Sequence, residues 1–171
     1  YYFVLEASDG REGLEIARKE VPDLVICDVM MPVMDGLEFT QQLKTNTATS
    51  HIPVIMLTAK NLEEHRAEGY EQGADSYITK PFHSKVLLAR VENLLHQRAH
   101  LRQLFAQGAA EGKETEEVSR LDDRDKAFVK QLHDIIKSHM GNSDFGVEDI
   151  GAEIGLSRVQ LYRKVKAITG S

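Results

Sequence analysis

The chain has 171 residues, enough for one or two domains, and a hydrophobic fraction of 42% that excludes a generally disordered protein. No apolar run approaches the roughly 20 residues of a membrane-spanning helix, and residues 1–5 lack the basic start of a signal peptide. The single cysteine, Cys27, excludes an internal disulfide and fits a reducing compartment. These properties predict a globular protein of the cytoplasm.

The charge of the chain is unevenly distributed. The net charge is −6, and residues 1–97 alone have a net charge of −6. Residues 98–123 have a net charge of −2, whereas residues 124–171 have +2. After Leu156 there are four basic residues and no acidic one. An acidic body with a basic end predicts two functions, the second of which involves a polyanion.

The first half of the chain alternates short apolar stretches with amphipathic ones. The apolar stretches predict β-strands at residues 2–7, 24–28, 54–58 and 76–79. The amphipathic stretches predict helices at residues 10–20, 37–45, 62–72 and 84 to about 105. Strands that alternate with helices at this spacing form a parallel sheet, so residues 1–97 are predicted to be an α/β doubly wound domain.

The second half is predicted to be helical. Residues 107–122 have few large apolar side chains and are interpreted as a flexible, acidic linker, so that 98–123 connects two domains. From about Arg124 an apolar stripe predicts a helix, and its members are Phe128, Val129, Leu132, Ile135 and Ile136. Two shorter helices are predicted at residues 147–153 and 158–168, with a turn glycine and a serine N-cap between them. Residues 124–171 are therefore predicted to be a small all-α helix-turn-helix domain.

Three side chains with complementary chemistry follow three of the predicted strands. Asp28, Thr58 and Lys80 stand at carboxyl ends, where α/β sheets place their ligands. Pro32 ends the strand character after Asp28, so the carboxylate is expected at the rim of the sheet. This trio suits phosphoryl transfer to Asp28, because that reaction mainly needs positioning and charge stabilisation. A cis peptide bond at Pro81 would fix the direction of Lys80. The alternative is an aspartate that only caps its own loop.

These residues resemble the motifs of the response-regulator receiver domain. The matching segments are Asp28-Val29-Met30-Met31-Pro32, Met34-Asp35-Gly36, Thr58-Ala59, Gly73-Ala74-Asp75, Tyr77 and Lys80-Pro81-Phe82. The resemblance implies a flavodoxin-like fold in which Asp28 is the phosphorylated residue and Thr58 the switch hydroxyl. It also implies that Tyr77 is the switch aromatic, which moves inward on phosphorylation, and that Lys80 is the phosphate partner. The alternative for Tyr77 is a half-buried strand aromatic without a switch function.

The resemblance, which covers roughly residues 1–97, also implies a magnesium site that contains Asp28 and the backbone carbonyl of Met30. Receivers add an acidic pair at the end of an earlier strand, but this chain opens at what matches their second strand. Glu6 and Asp9 lie at the wrong positions to substitute, and Mg²⁺ requires nearly octahedral oxygen coordination. We therefore expect Mg²⁺ in the intact receiver and an incomplete site in this sequence, which we interpret as a fragment lacking its first strand.

Residues 125–170 resemble the first helix-turn-helix of the AraC-type DNA-binding domain, most specifically in Leu156-Ser157-Arg158 and Leu161-Tyr162-Arg163-Lys164-Val165-Lys166. The resemblance implies a recognition helix that enters the major groove. Its inward stripe is predicted to be Leu161, Val165 and Ile168. The predicted DNA-binding residues are Ser157, Arg158, Val159, Gln160, Tyr162, Arg163, Lys164 and Lys166. AraC-type domains have a second such motif, so we expect weak DNA binding from this chain. The alternative is a solvated basic helix face.

Together the two resemblances imply a hybrid two-component regulator, in the cytoplasm or at the cytoplasmic end of a membrane-bound sensor. A histidine kinase donates a phosphoryl group to Asp28, and this phosphorelay alters pairing in a homodimer or the pose of the domain on promoter DNA. Neither enzymatic activity nor a small-molecule substrate is expected. An Asp-x-Asp phosphatase is disfavoured because Met30 stands where its second aspartate would be. A phosphorylation-independent interaction module is the stronger alternative, because the predicted metal site is incomplete.

Overall fold

The computed structural model describes residues 2–59, 73–111 and 123–170, with side chains described outside residues 104–111. The chain forms two compact units, Tyr1–His96 and Gln97–Ser171. In the part of the chain that is described, no helix is both long and apolar enough to cross a membrane.

A three-stranded parallel sheet organises the described part of the first unit. Its strands, in spatial order, are β1 (Val25–Asp28), β2 (Val54–Ala59) and β3 (Ser76–Lys80). The helices are α1 (Gly10–Glu20), α2 (Gly36–Thr45) and α3 (Ser84–Glu111), whose last residues belong to the second unit. Because β2 pairs in parallel with both other strands, the three carboxyl ends lie at one edge of the sheet. The predicted alternation of helices with parallel strands is confirmed for these elements.

Alternating side chains divide the core of the first unit into two layers. On one face of the sheet, Met56 is fully buried in a cluster with Leu14 of α1 and Phe39 of α2. On the other face, Ile55 is fully buried in a cluster with Val91 of α3. Helices therefore cover both faces, as in doubly wound folds. This two-sided burial explains why β2 reads as a continuous apolar run rather than an alternating pattern.

Two predictions of secondary structure are wrong. Residues 2–7, predicted as a strand, have no regular secondary structure and are exposed. A strand needs a neighbour for its backbone groups, and in the described sheet β1 pairs with β2 alone. Residues 107–111, predicted as linker, continue α3, because a lack of large apolar side chains removes a core-facing stripe but not helix propensity. The predicted helix at 62–72 and the remaining linker lie outside the described residues.

Three helices follow α3 in the second unit: α4 (Asp123–His139), α5 (Val147–Ile154) and α6 (Arg158–Thr169). Their bounds agree with the predicted helices to within one residue where a bound was predicted. Gly155 ends α5 with φ of 77°, a left-handed conformation that favours glycine. Ser157 begins α6, and its hydroxyl oxygen accepts a hydrogen bond from the backbone N–H of Gln160 at 3.2 Å. The chain therefore turns sharply between two short helices.

The predicted apolar stripe of α4 is only partly buried. Phe128 and Ile135 are buried, whereas Ile136 is 46% exposed. At about 100° per residue, Ile136 lies roughly 80° around the helix from Phe128, at the margin of the buried face. The prediction that Ile136 faces inward is therefore wrong. In α6, Leu161 and Ile168 are buried and Val165 is half-buried, as predicted.

A buried ion pair joins α2 to the amino ends of the strands. Lys44 is 4% exposed, and its Nζ donates to Asp75 Oδ2 at 2.8 Å. The same carboxylate oxygen accepts a hydrogen bond from the backbone N–H of Val54 at 2.7 Å. Asp75 thus neutralises a buried ammonium group and holds the start of β2. Removing one partner of a buried pair is costly because the other charge stays desolvated.

We expect Asp75→Asn to lower the free energy of unfolding by about 2 kcal/mol, less than a fully buried pair would lose because Asp75 is partly exposed. Urea denaturation at neutral pH measures this change. Glu15→Gln, at an exposed position of α1, is the control and should change the stability by no more than about 0.5 kcal/mol. Equal effects of the two substitutions would contradict the assignment.

Cys27, one residue before Asp28, lies in the apolar layer that contains Met56 and Phe39. Burial raises the pKa of Cys27 to about 12, although its thiol is 3.9 Å from the hydroxyl of Thr40. The thiolate is the reactive form, so the folded thiol is unreactive at neutral pH. Because the folded pKa lies above the unfolded one, the neutral thiol stabilises the fold below about pH 8.5, and this contribution is lost as the pH rises towards 12.

We expect Cys27 in the folded chain to react with iodoacetamide at pH 8 about a thousandfold more slowly than in concentrated urea. Mass spectrometry follows the labelling, and because the chain has one cysteine, the signal needs no assignment. The variant Cys27→Ala should remain unlabelled under both conditions. Similar rates in the folded and unfolded states would show that the thiol is accessible.

Candidate functional site

Asp28 lies at the carboxyl end of β1, at the rim of the sheet. Its side chain is 32% exposed. The backbone pairing continues one residue further, since the N–H of Val29 donates to the carbonyl of Leu57 at 2.9 Å, and then the chain turns away. Asp28 Oδ1 accepts a hydrogen bond from the backbone N–H of Met30 at 3.0 Å. The carboxylate therefore caps its own loop, which is the alternative interpretation of Asp28, and it is also exposed to solvent.

Lys80 brings a positive charge to the same carboxylate. It is the last residue of β3, two strands away from β1, yet its Nζ forms an ion pair with Asp28 Oδ2. The Lys80 side chain is 42% exposed. The peptide bond between Lys80 and Pro81 is cis, as predicted. The structure thus brings together the predicted carboxylate and ammonium groups at an open edge of the sheet, where a phosphoryl group has access from solvent.

The predicted hydroxyl and aromatic residues lie beneath this rim. Thr58, near the end of β2, is 2% exposed, and its hydroxyl donates to the carbonyl of Ala59 at 3.3 Å. Tyr77 pairs with Met56 across β2 and β3 and is 7% exposed in the apolar core. The expectation that Tyr77 moves inward on phosphorylation is therefore corrected. Its strand register already directs the ring into the core.

The loop after Asp28 is shaped by a local helix cap and by a close approach of the backbone. Asp35 caps α2 by accepting a hydrogen bond from the N–H of Glu38 at 2.8 Å. A Cβ on Gly36 would collide with the carbonyl oxygen of Asp28, so only glycine lets α2 start this close to β1. Val33 has φ of 68°, a left-handed conformation that is strained for a β-branched residue. The Asp35-Gly36 pair signals a turn and a helix start, but the close approach to Asp28 depends on the fold.

The described residues do not form a complete magnesium site. Both Asp28 oxygens already have partners in Lys80 and Met30. The carboxylate of Asp9 accepts hydrogen bonds from the first turn of α1, and Glu6 is exposed. Within residues 2–59, 73–111 and 123–170, no group of three or more His, Cys, Asp or Glu side chains could hold a metal ion. One carboxylate and the carbonyl of Met30 are too few oxygen ligands for Mg²⁺.

The predicted DNA-binding residues divide into an exposed set and a capping pair. Arg158, Val159, Tyr162 and Lys166 are exposed on α6, and Lys166 Nζ lies 5.7 Å from the centre of the Tyr162 ring. Arg163 is half-buried. The side chains of Ser157 and Gln160 form a reciprocal capping box, in which Gln160 Oε1 accepts a hydrogen bond from the N–H of Ser157 at 3.1 Å. These two side chains therefore also have a structural function.

The prediction that Lys164 contacts DNA phosphates is wrong. Lys164 is 1% exposed, and its Nζ lies 3.7 Å from Asp125 Oδ1 and 4.7 Å from the centre of the Phe128 ring. It follows Leu161 by three residues and so lies on the same, inward side of α6. A lysine in a basic run is normally expected to be solvated. Its partners Asp125 and Phe128 both lie on α4, so no pattern within α6 could have revealed its burial.

One family model and several known proteins resemble this chain. The model of the response regulator receiver domain matches residues 1–92. Histidine kinase P4 from Formosa agariphila is 36% identical over 168 residues, which cover 98% of this chain and 12% of that protein. The alkaline phosphatase synthesis transcriptional regulatory protein PhoP from Bacillus subtilis is 45% identical over 96 residues, which cover 56% of this chain and 39% of that protein. The chain thus spans well under half of either relative.

A solved structure agrees with the fold. It is the receiver domain of the sensor histidine kinase PA1611 from Pseudomonas aeruginosa, with a magnesium ion coordinated in its active site cleft. The two chains are 26% identical, with a TM-score of 0.52 over 56% of this chain and 78% of the other. Because the family model covers more than half of this sequence, the chain belongs to the response regulator receiver domain family.

Proposed function

We propose that Asp28 accepts a phosphoryl group from a histidine kinase and that the receiver thereby controls a DNA-binding second unit. The ion pair between Lys80 and Asp28 is the observation that carries this proposal. It places a fixed positive charge beside a solvent-accessible carboxylate at the carboxyl edge of a parallel sheet. Membership of the receiver family supports the same assignment. The proposed protein is a phosphorelay component rather than an enzyme, since it takes up one group and releases no small-molecule product.

In the proposed transfer, an oxygen of Asp28 attacks the phosphorus atom of a phosphohistidine. The P–N bond breaks as the P–O bond forms, the imidazole leaves with the electron pair, and an acyl phosphate remains on Asp28. Lys80 then offsets charge on the phosphoryl oxygens, which carry about −1.5 to −2 charges. The hydrogen bond from Met30 to Oδ1 orients the carboxylate. Because transfer is dominated by positioning and charge stabilisation, these two contacts supply much of what the reaction needs.

Thr58 is the proposed switch residue. Thr58 donates to the adjacent carbonyl of Ala59 at 3.3 Å, which is long for a hydroxyl hydrogen bond, so little is lost if the hydroxyl turns to a phosphoryl oxygen. Tyr77 needs no inward movement, since it is already buried. The proposed change therefore consists of a new hydrogen bond of Thr58 and a new partner for Lys80.

The second unit is proposed to be an AraC-type helix-turn-helix that binds promoter DNA, within a hybrid regulator that acts in the cytoplasm as a homodimer. The sharp turn between α5 and α6 and the exposed Arg158, Tyr162 and Lys166 support a recognition helix. The match to a histidine kinase over 98% of this chain supports the hybrid arrangement, and the match to a transcriptional regulatory protein supports control of transcription. Lys164 is not among the proposed DNA contacts, because it is buried.

A phosphorylation-independent interaction module is the second candidate. Within the described residues, no group of three or more His, Cys, Asp or Glu side chains could hold a metal ion, and this favours it. A calorimetric titration of the chain with MgCl₂ separates the two candidates. Saturable binding that disappears in Asp28→Asn supports phosphorylation, whereas the same absence of binding in both chains supports the second candidate.

We expect the chain to be phosphorylated at Asp28 when it is incubated with a phosphorylated histidine kinase and Mg²⁺. Phos-tag electrophoresis detects the slower-moving product, which Asp28→Asn should lack. Asp35→Asn is the matched control, because this nearby aspartate caps α2, and it should retain the product. Phosphorylation of Asp28→Asn to the level of the unaltered chain would refute the assignment.

We expect Lys166→Gln to weaken binding to duplex DNA of mixed sequence and to reduce the slope of log affinity against log salt concentration by about 1. Fluorescence anisotropy over a series of low salt concentrations measures both quantities. Lys130→Gln, at an exposed position of α4, is the control and should leave the slope unchanged. If the two substitutions have the same effect, α6 is not the DNA-binding surface.

A further inference from the structure

The second unit contains a chain of charged side chains that links three helices. Asp125 of α4 is 2% exposed and has a cation on each side. Its Oδ1 lies 3.7 Å from Lys164 Nζ of α6, and its Oδ2 lies 3.6 Å from a terminal guanidinium nitrogen of Arg98 in α3. Lys164 is itself 1% exposed and also contacts the face of the Phe128 ring. Separating the buried carboxylate of Asp125 from either cation is costly, because a charge would then remain buried without its partner and without solvent.

A second contact between the same helices lies further along α3 and α6. Arg102 Nε donates to the carbonyl of Ala167 at 2.8 Å, in the last turn of α6. This carbonyl belongs to the group of terminal carbonyls that lack a partner within their own helix. A cation is also favoured at this end of a helix by the helix dipole. A Cβ on Gly170 would lie 3.0 Å from Arg102 Cβ, so the end of α6 lies close against α3.

The two contacts are spaced to define an orientation. Arg98 and Arg102 are four residues apart, so they project from the same side of α3. On α6 the two contacts are made by the side chain of Lys164 and, about one turn later, by the backbone carbonyl of Ala167. Two contacts along α3 and α6 restrict both the distance between these helices and the rotation of α6, whereas a single contact would leave the rotation free. The side chains of Leu161 and Ile168 are also buried, but apolar packing is less directional than the two polar contacts.

We propose that the end of α3 is a clamp that positions α6, with Arg98 acting through Asp125 on Lys164 and Arg102 acting on the Ala167 carbonyl. The inference rests on the proposed function, in which α6 is the DNA-reading helix. Arg98, Arg102, Asp125 and Lys164 are then positioning residues that do not touch DNA. The clamp orients the exposed Arg158, Tyr162 and Lys166 away from α3, on the remaining face of α6.

Hydrogen–deuterium exchange of the full chain tests the clamp without DNA. In Arg102→Met and in Arg98→Met, the amides of α6 should exchange about tenfold faster, while those of β1–β3 keep their rates. Gln103→Met is the matched control, because it is exposed on the same part of α3, and it should leave α6 unchanged. Arg102→Lys should restore part of the protection, since it keeps a donor near the carbonyl.

Two outcomes overturn the clamp: unchanged exchange in α6, or an equal increase in α4, α5 and α6, which would indicate general destabilisation. Binding of mixed-sequence duplex DNA is measured on the same proteins. If Arg102→Met loosens α6 and weakens binding severalfold, the clamp and the proposed function are both supported. If it loosens α6 but even the unaltered chain binds no DNA, the clamp is supported and the DNA-binding function fails.

Discussion

The ion pair between Asp28 and Lys80 is the contact on which the candidate site depends, and it exists because β2 holds β1 and β3 in parallel register. Both charged residues end their strands, so the parallel arrangement brings them to one edge although they are far apart in the chain. The edge remains open to solvent because the chain turns away after Asp28. A buried sheet thus supports a polar rim that is open to solvent.

The geometry of the rim depends on how closely the backbone approaches it. Gly36 allows α2 to begin against the carbonyl of Asp28, and Asp35 caps that helix from the same turn. The two residues place the start of a helix beside the loop that follows Asp28. Beneath the rim, Thr58 and Tyr77 are buried by the alternation of β2 and β3. The candidate site is therefore built on regular elements, and its charged side chains, Asp28 and Lys80, lie above this buried layer.

Buried charge has a different function in the second unit. Asp125 and Lys164 are almost inaccessible to solvent and face each other. Such pairs contribute little net stability compared with apolar residues, but they penalise arrangements that separate the partners. This property suits a small helical unit, in which apolar packing alone leaves helices free to rotate. The rotation of α6 decides which residues face outward, and the buried pair restricts that rotation.

Much of the fold follows from the sequence because its elements are local. Asp9 and Asp35 each precede a helix that they cap, and the apolar runs of β1 to β3 are too short for helices and end in polar residues. The candidate site was also predictable, since parallel strands bring Asp28, Thr58 and Lys80 to one edge. The strand predicted at residues 2–7 failed because strand formation requires a neighbouring strand, which local pattern does not supply.

By itself, then, the sequence determined most of the described helices, the three strands of the described sheet and the residues at their carboxyl ends, because caps, periodicity and turns act over a few neighbouring positions. Only the tertiary structure decided which charges are exposed. Lys164 and Lys166 are two residues apart in one basic run, yet Lys164 faces Asp125 inside the unit and Lys166 lies at the surface. The burial of a charge depends on a partner brought from a distant segment, and that partner is defined by packing.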